Sequence, residues 1–339
     1  MRSFGSDNNS GIHPAVIDAI ATANKDHTIA YGDDPWTEKA TTCIRKEFGE
    51  EAFALFVFNG TGANTVAIRA CTRPYHAVLC SSMAHIAVDE CGAPGLLSGC
   101  AIKEIDTPNG KLTPELIQPL LHGFGFEHHS QPKVVYISQC SELGTVYTRE
   151  EIRAIAELIH PYGMYLHMDG ARLANAAVKL NCSFKEMTVD CGVDILSFGG
   201  TKNGLMMGEA VISFRRELND EMKYYRKQST QLFSKMRFSS CQFLPYLESE
   251  LWRKNATHAN RMAQRLRAGI EATGKGSFTQ PTDTNILLLT MQREVSEKLL
   301  ERYFFYTWNE ATNEIRLVTS WDTTEEDIDG LLDYLQTIE

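Results

Sequence analysis

The strongest constraint on this chain lies in its middle, where short apolar runs alternate with amphipathic stretches between residues 133 and 214. Residues 133–137 (KVVYI), 164–168, 193–198 and 209–214 each read as a buried strand, being apolar runs bounded by turn residues. After the first of these, Thr148 with Glu151 three positions on forms a capping-box pattern. Ile152, Ile155, Ala156 and Ile159 then share one helical face, and His160-Pro161-Tyr162-Gly163 stops the helix. A second helix is predicted over 172–180, and a glycine-rich turn precedes the strand at 209–214. Upstream, the strand at 53–58 ends in Asn59-Gly60 and leads into a helix over 62–72. A helix over 14–25 behind Pro14 and short strands at 78–80 and 101–105 complete this half.

Repeated strand–helix–strand units predict an α/β fold: a mostly parallel sheet flanked by helices on both faces. Residues 217–272 read as helical and charged. The tail changes character, with strands at 284–289, 304–308 and 315–318 and a last helix from Thr324, which is an α+β pattern. At roughly 150 residues per domain, 339 residues divide into two units. The expected division is a large domain over 1–245 and a small α+β domain over 246–339.

Composition excludes several classes. Hydrophobic residues make up 43% and charged residues 22%, enough to bury a substantial core. Lys and Arg number 33 against 43 Asp and Glu, for a net charge of −10, so neither nucleic acid nor an anionic membrane is the expected partner. No apolar run approaches the ~18 residues of a membrane span, and the start, MRSFGSDNNSGIHP, turns polar before a signal core forms. Nine scattered cysteines without a C-x-x-C pair indicate neither a disulfide framework nor a metal site. Reduced thiols in a cytoplasmic protein are the expectation.

Chemistry-bearing residues sit at three turns. Gly60-Thr61-Gly62, between a strand and a helix, can face backbone amides and a hydroxyl toward an anion. Alone it reads first as an ordinary tight turn, being neither a P-loop nor a dinucleotide fingerprint. Asp169 and Arg172 follow the strand at 164–168, at the strand end where open α/β sheets bind ligands, although Asp169 is equally a helix cap. Lys202 lies in Gly199-Gly200-Thr201-Lys202-Asn203-Gly204, where small neighbours admit a bulky group and a desolvated ammonium can become a nucleophile. Together, an anion turn, a strand-end aspartate and a lysine 33 residues later are the parts needed for pyridoxal phosphate: a phosphate cradle, a ring-nitrogen partner and a Schiff-base lysine.

Motifs spread along the chain carry a family resemblance. They include Phe4-Gly5-Ser6-Asp7-Asn8, Tyr31-Gly32-Asp33-Asp34-Pro35, the Gly60-Thr61-Gly62 turn and Ala84-His85-Ile86. His167-Met168-Asp169-Gly170-Ala171-Arg172, the lysine turn and Ile315-Arg316-Leu317-Val318-Thr319 continue the series. In these the chain resembles the L-threonine aldolase group of the β-eliminating lyase family, on the type I, aspartate-aminotransferase-like pyridoxal phosphate fold. The resemblance implies that Lys202 links covalently to the cofactor, Asp169 holds its ring nitrogen and His85 stacks on the ring. It assigns the phosphate to Gly60, Thr61 and Gly62, with Arg237 as candidate for a basic residue reaching in from a neighbouring subunit. Ser6, Arg172 and Arg316 would take the substrate carboxylate, and Tyr31 would line the substrate side across an interface. His85 and His128 are the candidate bases.

The implied reaction is retro-aldol cleavage of L-threonine or L-allo-threonine to glycine and acetaldehyde, by a homodimer or homotetramer with shared sites. One departure is visible: some relatives read Glu-Asn-Thr-His-Asn where this chain has Ser138-Gln139-Cys140-Ser141-Glu142. Another pyridoxal phosphate enzyme of this scaffold, an aminotransferase or a lyase acting on cysteine or aromatic amino acids, is the alternative. A non-catalytic binding protein would have no need of Lys202, Asp169, Arg172 and Arg316 together.

Overall fold

The computed structural model describes residues 2–338. Seven strands form the large sheet: β1 (Phe53–Val57), β2 (His76–Ser81), β3 (Ala101–Ile105), β4 (Gln131–Ser138), β5 (Tyr165–Gly170), β6 (Ile195–Gly199) and β7 (Glu209–Ser213). Their spatial order is β1-β7-β6-β5-β4-β2-β3. The pairs from β6 through β3 are parallel, whereas β7 runs antiparallel to both β6 and β1. The reversal follows from the connection: a short glycine-rich turn joins β6 to β7, and a parallel return needs a crossover of a dozen or more residues.

The central strands are apolar throughout because both faces are covered. Successive side chains point to opposite faces, so Val135 and Ile137 pack into one core while Val134 and Tyr136 pack into another. The first core holds the helix Arg149–Ile159, whose Thr148 and Glu151 form the reciprocal capping box read from the sequence. The second holds the helix Gly60–Cys71, nearly all of it buried.

A second sheet orders β10-β11-β9-β8, all antiparallel, from β8 (Ser277–Phe278), β9 (Ile286–Thr290), β10 (Tyr306–Asn309) and β11 (Glu314–Val318). Leu287, Leu289, Ile315 and Leu317 pack with the helices Leu251–Thr273 and Glu325–Thr337 to form a third core. Residues 245 and 246 lie within the helix Phe243–Glu248, whose Phe243 and Tyr246 belong to the large-sheet core. The long helix Leu251–Thr273 bridges the units: Trp252 and Ala256 pack on the large side, Leu266 and Ile270 on the small one.

The amino-terminal segment is fastened to the smaller sheet. The Phe4 N–H donates to the carbonyl of Phe304 at 2.7 Å, and the Val318 N–H donates to the carbonyl of Phe4 at 2.7 Å. All nine cysteines are free. No described helix is long and apolar enough to cross a membrane, and no cluster of metal-binding side chains occurs among the described residues.

Candidate active site

A cleft opens where β4, β5 and β6 end and the helix Gly60–Cys71 begins. It is lined by Gly60, Asn64, His85, Glu142, Asp169, Arg172 and Lys202, among others. Five of the expected site residues (Gly60, His85, Asp169, Arg172 and Lys202), from distant parts of the sequence, therefore face one space.

Asp169 is buried at the end of β5. Burial alone would raise its carboxyl, but donors outweigh it: Tyr136 Oη at 2.7 Å, Asn64 Nδ2 at 2.8 Å and the Ala171 N–H at 2.9 Å, with the Lys202 charge adding to them. The group is held below the ordinary carboxylate value and stays ionised. Asn64 spends its second N–H on Glu90 Oε1 at 2.7 Å, and the same oxygen lies 2.8 Å from His85 Nδ1. A continuous polar chain thus runs His85–Glu90–Asn64–Asp169. The Glu90 bond raises the His85 pKa against the opposing effect of burial. Sequence reasoning assigned no role to Asn64, Tyr136 or Glu90. The signal was a polar residue inside an otherwise buried helix, with the partners of Asn64 lying 26 and 105 positions away.

Lys202 sits in the short turn Thr201–Asn203 after β6. Among the described residues no hydrogen bond or ion pair reaches its ammonium. Burial, and then the charge of Arg172, push its pKa below the ordinary lysine value. A desolvated, unpaired lysine of this kind is primed to condense with a carbonyl. Gly199 is required behind it, since a Cβ there would lie 2.7 Å from Glu209 Oε2 and 3.0 Å from Ala171 Cα.

The glycine turn starts the helix Gly60–Cys71. Asn59 caps it by accepting from the Gly62 N–H at 2.7 Å. Gly62 therefore has no amide left for an anion, a correction to its expected role. Its lack of a side chain instead makes room for Gln231, whose amide would lie 2.2–2.5 Å from a Cβ. The amides of Gly60 and Thr61 have no acceptor within the helix, so the cradle narrows to these two and the helix dipole.

Arg172 is only partly available to a substrate. Asp7, itself buried, takes its Nε at 2.7 Å and Nη2 at 2.9 Å, leaving Nη1. Of the expected carboxylate binders, Arg172 thus has its Nε edge committed to Asp7, and only the Nη1 side is open to a substrate. Arg316 is the opposite case: its Nε is buried without a partner, and its guanidinium lies 4.6 Å from the Trp308 ring. Burial and the like charge of Arg172 lower its pKa, the condition of a cation that lacks its anion. Ser6 accepts from the Asn8 N–H at 3.1 Å and caps the turn Asp7–Asn9, which presents Asp7 to Arg172.

Three expected residues are not brought to this cleft within one chain. His128 precedes β4 in an exposed loop and packs on Phe126. Since β4 ends at the cleft with Ser138, its start lies about 23 Å away at ~3.3 Å per residue. Tyr31 is 51% exposed, with φ +64° and its N–H donating to the Ser234 carbonyl at 2.8 Å. Arg237 donates to the carbonyls of Lys25 and Asp26 and to Thr28 Oγ1. Together, residues 26–30 and 234–237 line a separate surface hollow.

The residues in the cleft fit pyridoxal phosphate. An unpaired lysine awaits a carbonyl, an ionised aspartate lies in reach of a protonated ring nitrogen, and free amides at a helix start suit a phosphate. Fold and site together define a pyridoxal phosphate enzyme of the type I fold. The family model for β-eliminating lyases matches residues 3–294, and the chain belongs to that family. It is 42% identical to the low specificity L-threonine aldolase of Pseudomonas aeruginosa, covering 96% of this chain and 94% of that one. The Escherichia coli protein of that name is 25% identical over 93% and 92%. A solved threonine aldolase from Leishmania major superposes with a TM-score of 0.93 at 30% identity, covering 99% of both chains. Aspartate aminotransferase from Thermus thermophilus shares the fold, with a TM-score of 0.69 at 17% identity over 99% of this chain and 90% of that one.

Proposed function

We propose that this protein cleaves L-threonine and its allo isomer to glycine and acetaldehyde by a pyridoxal phosphate-dependent retro-aldol reaction. The observation that carries the reading is the unpaired, desolvated Lys202 facing the same cleft as the charge-holding Asp169. Its likeness to proteins named L-threonine aldolase over almost the whole chain supports the choice among lyases.

Pyridoxal phosphate, when bound, supplies an electron sink for the pair left on Cα as the Cα–Cβ bond breaks. Lys202 would hold the cofactor by condensing with its carbonyl. Asp169, kept ionised by Tyr136, Asn64 and Ala171, holds the proton of the ring nitrogen. Gly60 and Thr61 bind the phosphate. Arg316 and the free Nη1 of Arg172 would bind the substrate carboxylate, and fixing it orients the scissile bond. His85, anchored by Glu90, would hold the ring in place from the cleft wall.

The working unit in this reading is a homodimer or homotetramer in the cytoplasm, with Tyr31 and Arg237 directed toward a neighbouring copy. The exposure of Tyr31 in a left-handed conformation supports that role.

Product analysis separates the aldolase from an aminotransferase. L-Threonine incubated with the holoenzyme is expected to give glycine and acetaldehyde in equal amounts without added 2-oxo acid. A requirement for a 2-oxo acid, with formation of a new amino acid, would replace this reading by transamination.

A further inference from the structure

The segment after β4 carries a carboxylate to which none of these roles falls. Glu142 lines the cleft with His85, Asp169, Arg172 and Lys202. Its Oε1 accepts from the backbone N–H of His85 at 2.9 Å and from the Ser138 hydroxyl at 2.7 Å. No hydrogen bond or ion pair reaches Oε2 among the described residues. Two donors on one oxygen fix the carboxylate plane and leave the lone pairs of the other free. Glu142 and Ser138 are also the two ends of the segment where this chain departs from the pattern of some relatives.

The imidazoles are less suited to accept a proton here. His85 has its Nδ1 tied to Glu90 Oε1 at 2.8 Å and is assigned to the cofactor ring in this reading. His128 is at the far end of β4 in its own chain. We propose that Glu142 removes the proton from the substrate's β-hydroxyl, an inference that rests on the aldolase reading.

The step balances without a further reactant. The hydroxyl O–H bond breaks and its proton passes to Glu142 Oε2, while the O–H pair becomes the second C–O bond of acetaldehyde. The Cα–Cβ pair stays on Cα, which takes up one proton to complete glycine, and Glu142 returns its own proton to solvent. Burial raises the Glu142 carboxyl above the ordinary value, against the Ser138 and backbone hydrogen bonds that lower it. The charged and titratable groups around it are Asp169, which opposes its ionisation, Arg172, which favours it, and His85, Cys140, Lys202, Tyr136, Tyr147 and Cys80. Since the base acts ionised, cleavage falls as pH drops through this raised pKa.

Three readouts on Glu142→Gln holoenzyme test the assignment. The visible band of the lysine-bound cofactor and the exchange of the glycine α-proton with deuterated water, which involves no β-hydroxyl, are expected to persist. L-Threonine cleavage is expected to fall by ~10²–10⁴-fold, the usual contribution of a general base. Glu142→Asp should restore part of it. Ser138→Ala gives an independent arm: losing a bond that favours the ionised form should move the acidic limb of kcat/KM to higher pH. Cleavage undiminished in Glu142→Gln, glycine exchange lost in parallel with cleavage, or an acidic limb that stays put in Ser138→Ala would each overturn the proposal. Wild-type enzyme that exchanges glycine but cleaves no β-hydroxy amino acid would overturn the aldolase reading instead.

Discussion

Asp169 keeps its charge in a buried place only because specific donors face it, so those donors have a measurable effect. Removing the Asn64 amide leaves Asp169 short of a bond worth about 1.5–3 kcal/mol to a charged group. Asn64→Ala is therefore expected to lower kcat/KM for L-threonine by roughly 10–100-fold while the protein remains folded. Far-ultraviolet dichroism and steady-state kinetics check the two halves of that statement. Arg316 is the counterpart, a cation held ready for an anion. Arg316→Ala is expected to lower kcat/KM by about 2–5 kcal/mol, mainly through KM. Arg316→Lys should recover only part, because an ammonium lacks the planar fork that grips a carboxylate at two points. A Lys variant equal to wild type would remove Arg316 from the substrate site.

At the scale of elements, legibility in the sequence tracked how local the cause was. The capping box at Thr148 and Glu151, the strands of the central sheet and the turn holding Lys202 all announce themselves within a few residues. The helix Pro35–Phe48 does not, although Asp34 caps it by accepting from the N–H groups of Trp36 and Thr37. Its apolar stripe is narrow, only Ala40, Cys43, Ile44 and Phe48 among threonines and charges. Even so, Phe48 stacks on Phe184 at 5.5 Å and meets the edge of Phe198 at 5.2 Å. Phe48→Ala is expected to cost about 3–5 kcal/mol of unfolding free energy, read from denaturant midpoints. A loss under 1 kcal/mol would mean that this helix is peripheral to the core. The site followed the same rule. Lys202, Asp169 and His85 lie in recognisable turns, whereas Asn64, Tyr136 and Glu90 matter through convergence that no spacing reports. The engagement of Arg172 by Asp7, 165 positions away, was equally invisible.

Across the whole molecule, Asp7 is the point where three parts meet. It accepts from Arg172 beside the large sheet and from Asn285 Nδ2 at 3.0 Å beside the small one. Burial would raise its carboxyl, but Arg172 lowers it overall. A carboxyl depressed on folding contributes stability that is fully present above its unfolded pKa and is lost as pH falls through the folded one. Asp7→Asn leaves Arg172 unpaired and is expected to cost ~3–5 kcal/mol near neutral pH. That deficit should shrink as acid protonates Asp7 in the wild type, and urea unfolding at several pH values measures it. A deficit that stayed constant into strong acid would show that the charge of Asp7 is not what matters.

The cleft as a whole is built to hold pyridoxal phosphate on Lys202 and to break the Cα–Cβ bond of L-threonine. The direct measurement supplies L-threonine to purified, cofactor-loaded protein and follows acetaldehyde through a coupled reductase, with Lys202→Ala as the blank. Steady acetaldehyde release by the wild type and none by the variant is the expected result. Wild-type protein that shows the lysine–cofactor absorbance band yet releases no acetaldehyde would contradict it.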